Sequence, residues 1–84
     1  MALTTEQCEI LAALVDPQAD PPERTTGVLA RRVNLSPRRV ASRLEELQHR
    51  SPPLVRLRYD DEWQVHAWAA TEEGRRARDQ WCLG

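Results

Sequence analysis

The sequence has no lysine and no phenylalanine, and it has only one tyrosine, three glycines and two cysteines. It also lacks any run of about eighteen apolar residues, which argues against a membrane-spanning helix and favours a soluble globular chain. Its 84 residues suffice for one domain with a modest core, but not for a core plus a sizeable catalytic cavity. A single domain over residues 1–84 that works as a binding module is therefore expected.

Sequence motifs for catalysis or metal binding are missing as well. The chain contains no glycine-rich phosphate loop and no nucleophile motif. Its one carboxylate-rich stretch, Asp60–Glu62, has adjacent residues in a predicted turn, and these do not hold two groups across a substrate. The sequence thus predicts a non-enzyme with no metal and no cofactor.

The N-terminus favours a cytoplasmic location, and the two cysteines fit reduced thiols. Cys8 and Cys82 are too far apart in the sequence for a CxxC site. We expect a buried Cys8 and a loosely held Cys82. The first six residues, MALTTE, contain neither a basic stretch nor a long apolar region, and therefore do not read as a secretory signal peptide.

Positive charge is concentrated in the middle of the chain, although the formal net charge is −1. Residues 1–24 carry five acidic residues and one arginine, residues 25–50 carry six arginines and two acidic residues, and the remainder carries five arginines and six acidic residues. This basic block indicates an anionic partner. All twelve basic residues are arginine, a uniform bias that fits genome composition better than function.

The basic block reads as two short amphipathic helices joined by a tight turn, at about Thr26–Val33 and Pro37–His49. Asn34 tolerates the left-handed conformation that ends a helix, Ser36 can cap the next helix, and Pro37 suits a first helical turn. Leu29, Ala30 and Val33 are expected to face the core.

The second of these helices separates apolar from basic residues. Val40, Leu44 and Leu47 share one face at helical spacing. The other side, near the N-terminal end where a recognition helix meets base edges, then carries Arg38, Arg39, Ser42 and Arg43. The alternative is that these arginines solvate the outer face and pair with Glu45 and Glu46.

The rest of the chain adds two helices and a hairpin. A first helix is predicted at about residues 4–15, capped by Thr4 or Thr5, with Cys8, Leu11 and Leu14 or Val15 facing inward. A polar, proline-rich connector follows. After residue 53 the period changes to alternation in LVRLRY and WQVHAWAA, which predicts two strands around a turn at residues 60–62. Thr71 is expected to cap a last helix.

Either of two sets of residues could form the inward face of the second strand. The bulk of Trp68 favours His66, Trp68 and Ala70 over the alternating set Val65, Ala67 and Ala69. Tyr59 is assigned to the core.

This order of elements resembles the winged helix-turn-helix fold, and the sequence is similar to MarR-type bacterial regulators. The likeness rests on LTTEQCEILAAL, on VLARRVNLSPRRVASRLEELQHR and on ATEEGRRA, which is similar to the LTEEG that commonly starts the helix after the wing. It covers nearly the whole chain. It implies a mainly α fold with a small β-hairpin in the order α-α-α-β-β-α, and a transcriptional regulator that places its third helix in the major groove of double-stranded DNA.

By this resemblance, Ser36 to Arg43 form the part of the third helix that enters the groove, and Arg56 and Arg58 lie on the wing. The predicted DNA-binding set is therefore Ser36, Arg38, Arg39, Ser42, Arg43, Arg56 and Arg58.

The chain departs from the family at its wing tip, which is often basic there but reads Asp60-Asp61-Glu62-Trp63 here. These carboxylates would be repelled by DNA. The alternative function is a protein-interaction module or a subunit of a larger complex, with Trp63 as the binding anchor. RNA binding by stacking on the aromatic residues is a third interpretation.

A second departure concerns the termini, because MarR-type proteins have longer terminal helices through which they dimerise. This leaves open a compact homodimer, a monomer, or a module within an assembly.

Overall fold

The computed structural model describes residues 2–82, which form four α-helices, a short 3-10 helix and a two-stranded antiparallel sheet. The elements are α1 Thr5–Leu14, the 3-10 helix Pro21–Arg24, α2 Thr26–Val33, α3 Pro37–Gln48, β1 Val55–Asp60, β2 Val65–Ala70 and α4 Glu72–Trp81. The predicted α-α-α-β-β-α order with a small hairpin is confirmed. Over the described range, no helix is long and apolar enough to cross a membrane.

The predicted helix caps are present. Thr4 caps α1 in a reciprocal capping box with Gln7, and Asn34 takes the left-handed conformation, with φ 59°, between α2 and α3. Ser36 and Thr71 each accept a hydrogen bond at the start of α3 and α4 from the backbone N–H three residues further along. Local sequence signals therefore set where these helices begin and end.

The core forms where α1, α2 and α3 pack together with the base of the hairpin. The predicted face of α3 is confirmed, since Val40, Leu44 and Leu47 are fully buried. Leu29 and Ala30 of α2 are buried, while Val33 is partly buried against the core. The remaining large buried side chains are Ile10, Leu11, Leu14, Leu54 and Val55.

Neither of the two predicted inward faces of β2 describes the strand fully. Trp68 and Ala70 pack against the core as expected, but His66 is exposed, and Ala67 on the opposite face is buried. The reason is the 3-10 helix, which packs along β2 and whose Arg24 donates from Nε to the Trp68 carbonyl oxygen at 3.1 Å. The connector is thus a structural element that covers one edge of the sheet.

The assignment of Tyr59 to the core is wrong, because its side chain is 52% exposed. Val55 at the base of β1 is fully buried, but Leu57 is already 46% exposed. Tyr59 lies opposite His66 of β2, and both side chains are exposed, so this face of the sheet is not covered here. The alternating pattern of β1 therefore shows which residues share a face of the strand, but it does not show how much of that face is buried.

The expectation of reduced cysteines is also wrong, since Cys8 and Cys82 form a disulfide with their Cα atoms 5.6 Å apart. Cys8 is only partly buried, and Cys82 follows directly after α4. The helix α4 packs against α1, which brings together two residues separated by 74 positions in the chain. Spacing in the sequence could not reveal this proximity.

Candidate nucleic-acid interface

The predicted groove-entering residues come together on one open surface at the N-terminal half of α3. A shallow depression there is lined by Ser36, Arg38, Arg39, Ser42 and Arg43. The Ser36 cap and Pro37 fix where the helix starts, and the buried apolar face of α3 turns the polar positions outward. The five side chains predicted from the sequence thus form one surface.

Arg38 is the arginine of this surface that is most available to a ligand. It lies opposite the buried face of α3 and is exposed, and within residues 2–82 it forms no ion pair. Ser42, one turn further along, is exposed beside it. A guanidinium with a neighbouring hydroxyl can donate to phosphate oxygens or to the edge of a guanine.

Arg39 and Arg43 lie on the flank of α3 that faces α1, where both contact Glu6. Arg39 Nε lies 2.7 Å from Glu6 Oε2 and 3.0 Å from Oε1, and Arg43 Nη1 lies 3.4 Å from Oε1. Arg43 also pairs with Glu46, with Nη2 3.0 Å from Oε2. The pairing of α3 arginines with Glu46 is therefore present, but Glu45 has no such pair in the part of the chain that the structure describes.

Gln7 fixes this cluster to the start of α1. Its side chain is almost fully buried; Oε1 accepts from the Thr4 backbone and Nε2 donates to Glu46 Oε1, both at 3.0 Å. The capping box of α1 and the charges of α3 thus share one hydrogen-bond network. Sequence reasoning missed Glu6 and Gln7 as part of the site, because nothing local indicates which face of α1 meets α3.

The arginines at the end of α2 lie outside this surface. Arg32 pairs with Asp16, which follows α1, and Arg31 is exposed. The hydrogen bond from Arg32, followed by one from the Gln18 backbone, lowers the pKa of Asp16 below its usual value. This pair ties α1 to α2 and thereby supports the turn before α3.

The wing arginines form a second, separate part of the candidate interface. Arg56 and Arg58 are exposed and line a depression with Gln48 at the C-terminal end of α3, about 15 Å along the helix from Arg38. They also line a groove with Glu72 and Glu73 of α4, so acidic residues border the basic face of the wing.

The wing tip is acidic and exposes an aromatic side chain. The Asp60 carboxylate accepts from the Trp63 backbone N–H at 2.9 Å, which closes the turn, and Trp63 is 47% exposed. Trp63 is therefore not part of the core, whereas its role as a binding anchor stays a prediction.

The candidate interface thus combines an open basic depression on α3, in which Arg39 and Arg43 are held by Glu6, with a basic wing that has an acidic tip. Among the described residues, no three histidine, cysteine or acidic side chains are grouped as a metal site requires. No protein-family model, no curated protein and no solved structure matches this chain.

Proposed function

We propose that this chain is a winged-helix domain that binds double-stranded DNA and regulates transcription, as MarR-type regulators do. The observation that supports this most directly is the shared depression of Ser36, Arg38, Arg39, Ser42 and Arg43 on the outer side of α3. An α-helix fits the major groove, and donors near the start of a recognition helix reach base edges and phosphates.

Each residue has a separate role in this proposal. Arg38 donates to guanine O6 and N7 or to a phosphate, and the hydroxyls of Ser36 and Ser42 donate to phosphate oxygens. Arg56 and Arg58 neutralise phosphates from the wing. No residue is assigned a catalytic role, and the proposal requires neither a cofactor nor a metal.

A cytoplasmic location is part of this proposal, and the Cys8–Cys82 disulfide argues against it. Disulfides are rare in that compartment, because thiol reductants keep most cysteines reduced. DNA binding should therefore be measured with and without reductant, so that the disulfide-linked and reduced forms are compared directly.

The proposal is tested by Arg38→Ala, with Arg76→Ala as the matched control. Arg76 is an exposed arginine of α4 that, among the residues the structure describes, pairs only with Glu72 of its own helix. Both variants remove one positive charge. Arg38→Ala should weaken binding to a duplex of random sequence and lower the log–log salt slope by about 0.9, as measured by fluorescence anisotropy, because one phosphate contact is lost. If both variants bind as the unaltered chain does, α3 is not the binding surface.

A protein-interaction module is the second candidate function, and the exposed Trp63 on the hairpin favours it. Large aromatic side chains are frequent anchors of protein interfaces. If Trp63 is reserved for a protein partner, Trp63→Ala should change neither the melting temperature nor the affinity for DNA. A large fall in DNA affinity would instead assign Trp63 to the DNA interface.

A further inference from the structure

We propose that Glu6 competes with DNA phosphate for Arg39 and Arg43. Its carboxylate holds both arginines away from DNA and thereby limits the affinity of the α3 surface. This inference rests on the proposed DNA binding and names a residue that regulates it. Glu6 belongs to α1, and nothing in its local sequence associates it with DNA recognition.

The contacts around Glu6 support a competition of this kind. Both carboxylate oxygens of Glu6 accept from Arg39 Nε, at 2.7 and 3.0 Å, and Oε1 also lies 3.4 Å from Arg43 Nη1. A carboxylate that receives such bonds uses the same donors that guanidinium groups offer to a phosphate. The Glu6 carboxylate therefore occupies the positions beside Arg39 and Arg43 that a DNA phosphate would take.

The exposure of Arg39 indicates that Glu6 can be displaced from this arginine. The side chain of Arg39 is 59% exposed, while those of Glu6 and Arg43 are 24% and 25% exposed. An ion pair with an exposed partner contributes little to stability, because solvent screens it. Arg39 can therefore exchange Glu6 for an arriving phosphate at small cost.

The net charge of this cluster also supports the proposed competition. Two arginines, Arg39 and Arg43, face two carboxylates, Glu6 and Glu46, so the flank of α3 has no net charge. Gln7 holds Glu46 in place through Nε2. Of the two carboxylates only Glu6 contacts both arginines, so its neutralisation would return one positive charge to the surface beside Arg38.

The test compares Glu6→Gln with Glu9→Gln, which removes the same charge from an exposed position of the same helix. Within residues 2–82, Glu9 forms no ion pair. Both variants are titrated with a random-sequence duplex at several salt concentrations, and circular dichroism checks that each is folded. Glu6→Gln should bind about 3- to 10-fold more tightly than Glu9→Gln at low salt, with a log–log salt slope steeper by about 0.9 for each arginine that gains a phosphate.

A second comparison uses the background Arg39→Gln/Arg43→Gln. There, adding Glu6→Gln should change affinity no more than adding Glu9→Gln does, because the competed donors are gone. If the unaltered chain binds DNA but Glu6→Gln binds no better than Glu9→Gln, the competition is wrong while the DNA assignment stands. Weaker binding by Glu6→Gln would show instead that Glu6 orients Arg39 for DNA. If neither the unaltered chain nor Glu6→Gln binds a duplex at low salt, both proposals fail.

Discussion

Gly74 of α4 lies so close to Leu54 that a Cβ atom built on the glycine would be 2.0 Å from the Leu54 carbonyl oxygen. The same oxygen accepts a hydrogen bond from the Thr71 backbone N–H at 3.0 Å. The first turn of α4 is therefore packed directly onto the backbone that leads into the wing. This contact fixes the base of β1, which carries Arg56 and Arg58.

The first prediction is that Gly74→Ala destabilises the domain by about 1–3 kcal/mol or more, because the added methyl group meets backbone that cannot move freely. Gly27→Ala is the matched control, since a Cβ there meets nothing within 4 Å. Alanine at this helical position should be neutral or stabilising by up to about 1 kcal/mol. Urea unfolding measures both values, and equal stabilities would contradict the close packing of α4.

The second prediction concerns the pKa of Asp16, which Arg32 lowers through a hydrogen bond. Arg32→Gln should raise this pKa toward its ordinary value of 3.8, as followed by NMR titration of the carboxyl group. Because the pKa is lower in the folded state, the pair stabilises the fold above the pKa of the unfolded chain. That contribution is lost as the pH falls through the folded value, so the stability difference caused by Asp16→Asn should disappear in acid. An unchanged pKa in Arg32→Gln would mean that the ion pair does not form in solution.

The third prediction is that the Cys8–Cys82 disulfide contributes to stability chiefly by restricting the unfolded chain. The bond closes a loop across a sequence separation of 74 residues, and such cross-links typically stabilise by about 2–4 kcal/mol. Cys8→Ser/Cys82→Ser should therefore melt earlier than the oxidised chain and at about the temperature of the reduced chain. Equal melting of the oxidised and reduced chains would exclude a stabilising role.

The helix boundaries and the buried face of α3 could be predicted because they depend on neighbouring residues. Caps such as Ser36 and Thr71 act over three residues, and the pattern of Val40, Leu44 and Leu47 follows from one helical period. The arginine cluster of α3 could be located for the same reason.

The errors arose where distant parts of the chain meet. The Cys8–Cys82 bond depends on the packing of α4 against α1, and the partners of Arg39 depend on which face of α1 meets α3. Tyr59 alternates as a core residue does, but both it and its cross-strand neighbour His66 are exposed. The sequence could therefore identify the basic surface without showing that part of its charge is internally compensated.

The fourth prediction addresses the acidic wing tip through Asp61→Asn/Glu62→Gln. Asp60 is left unchanged because its carboxylate holds the Trp63 backbone N–H and closes the turn. If the wing lies along DNA, removing two exposed negative charges should tighten duplex binding, and the gain should shrink as salt screens the repulsion. Anisotropy titrations at two salt concentrations measure this effect. An affinity that does not change would remove the wing tip from the DNA interface and favour the protein-interaction function.

The salt dependence of duplex binding by the unaltered chain tests the central claim most directly. If Arg38, Arg56 and Arg58 each neutralise one phosphate, log Kd should rise with log salt with a slope of about 2.7, so Kd should increase about 40-fold between 50 and 200 mM salt. A Kd that stays constant over this range, or no detectable binding at 50 mM salt, would contradict the proposal that this domain binds DNA.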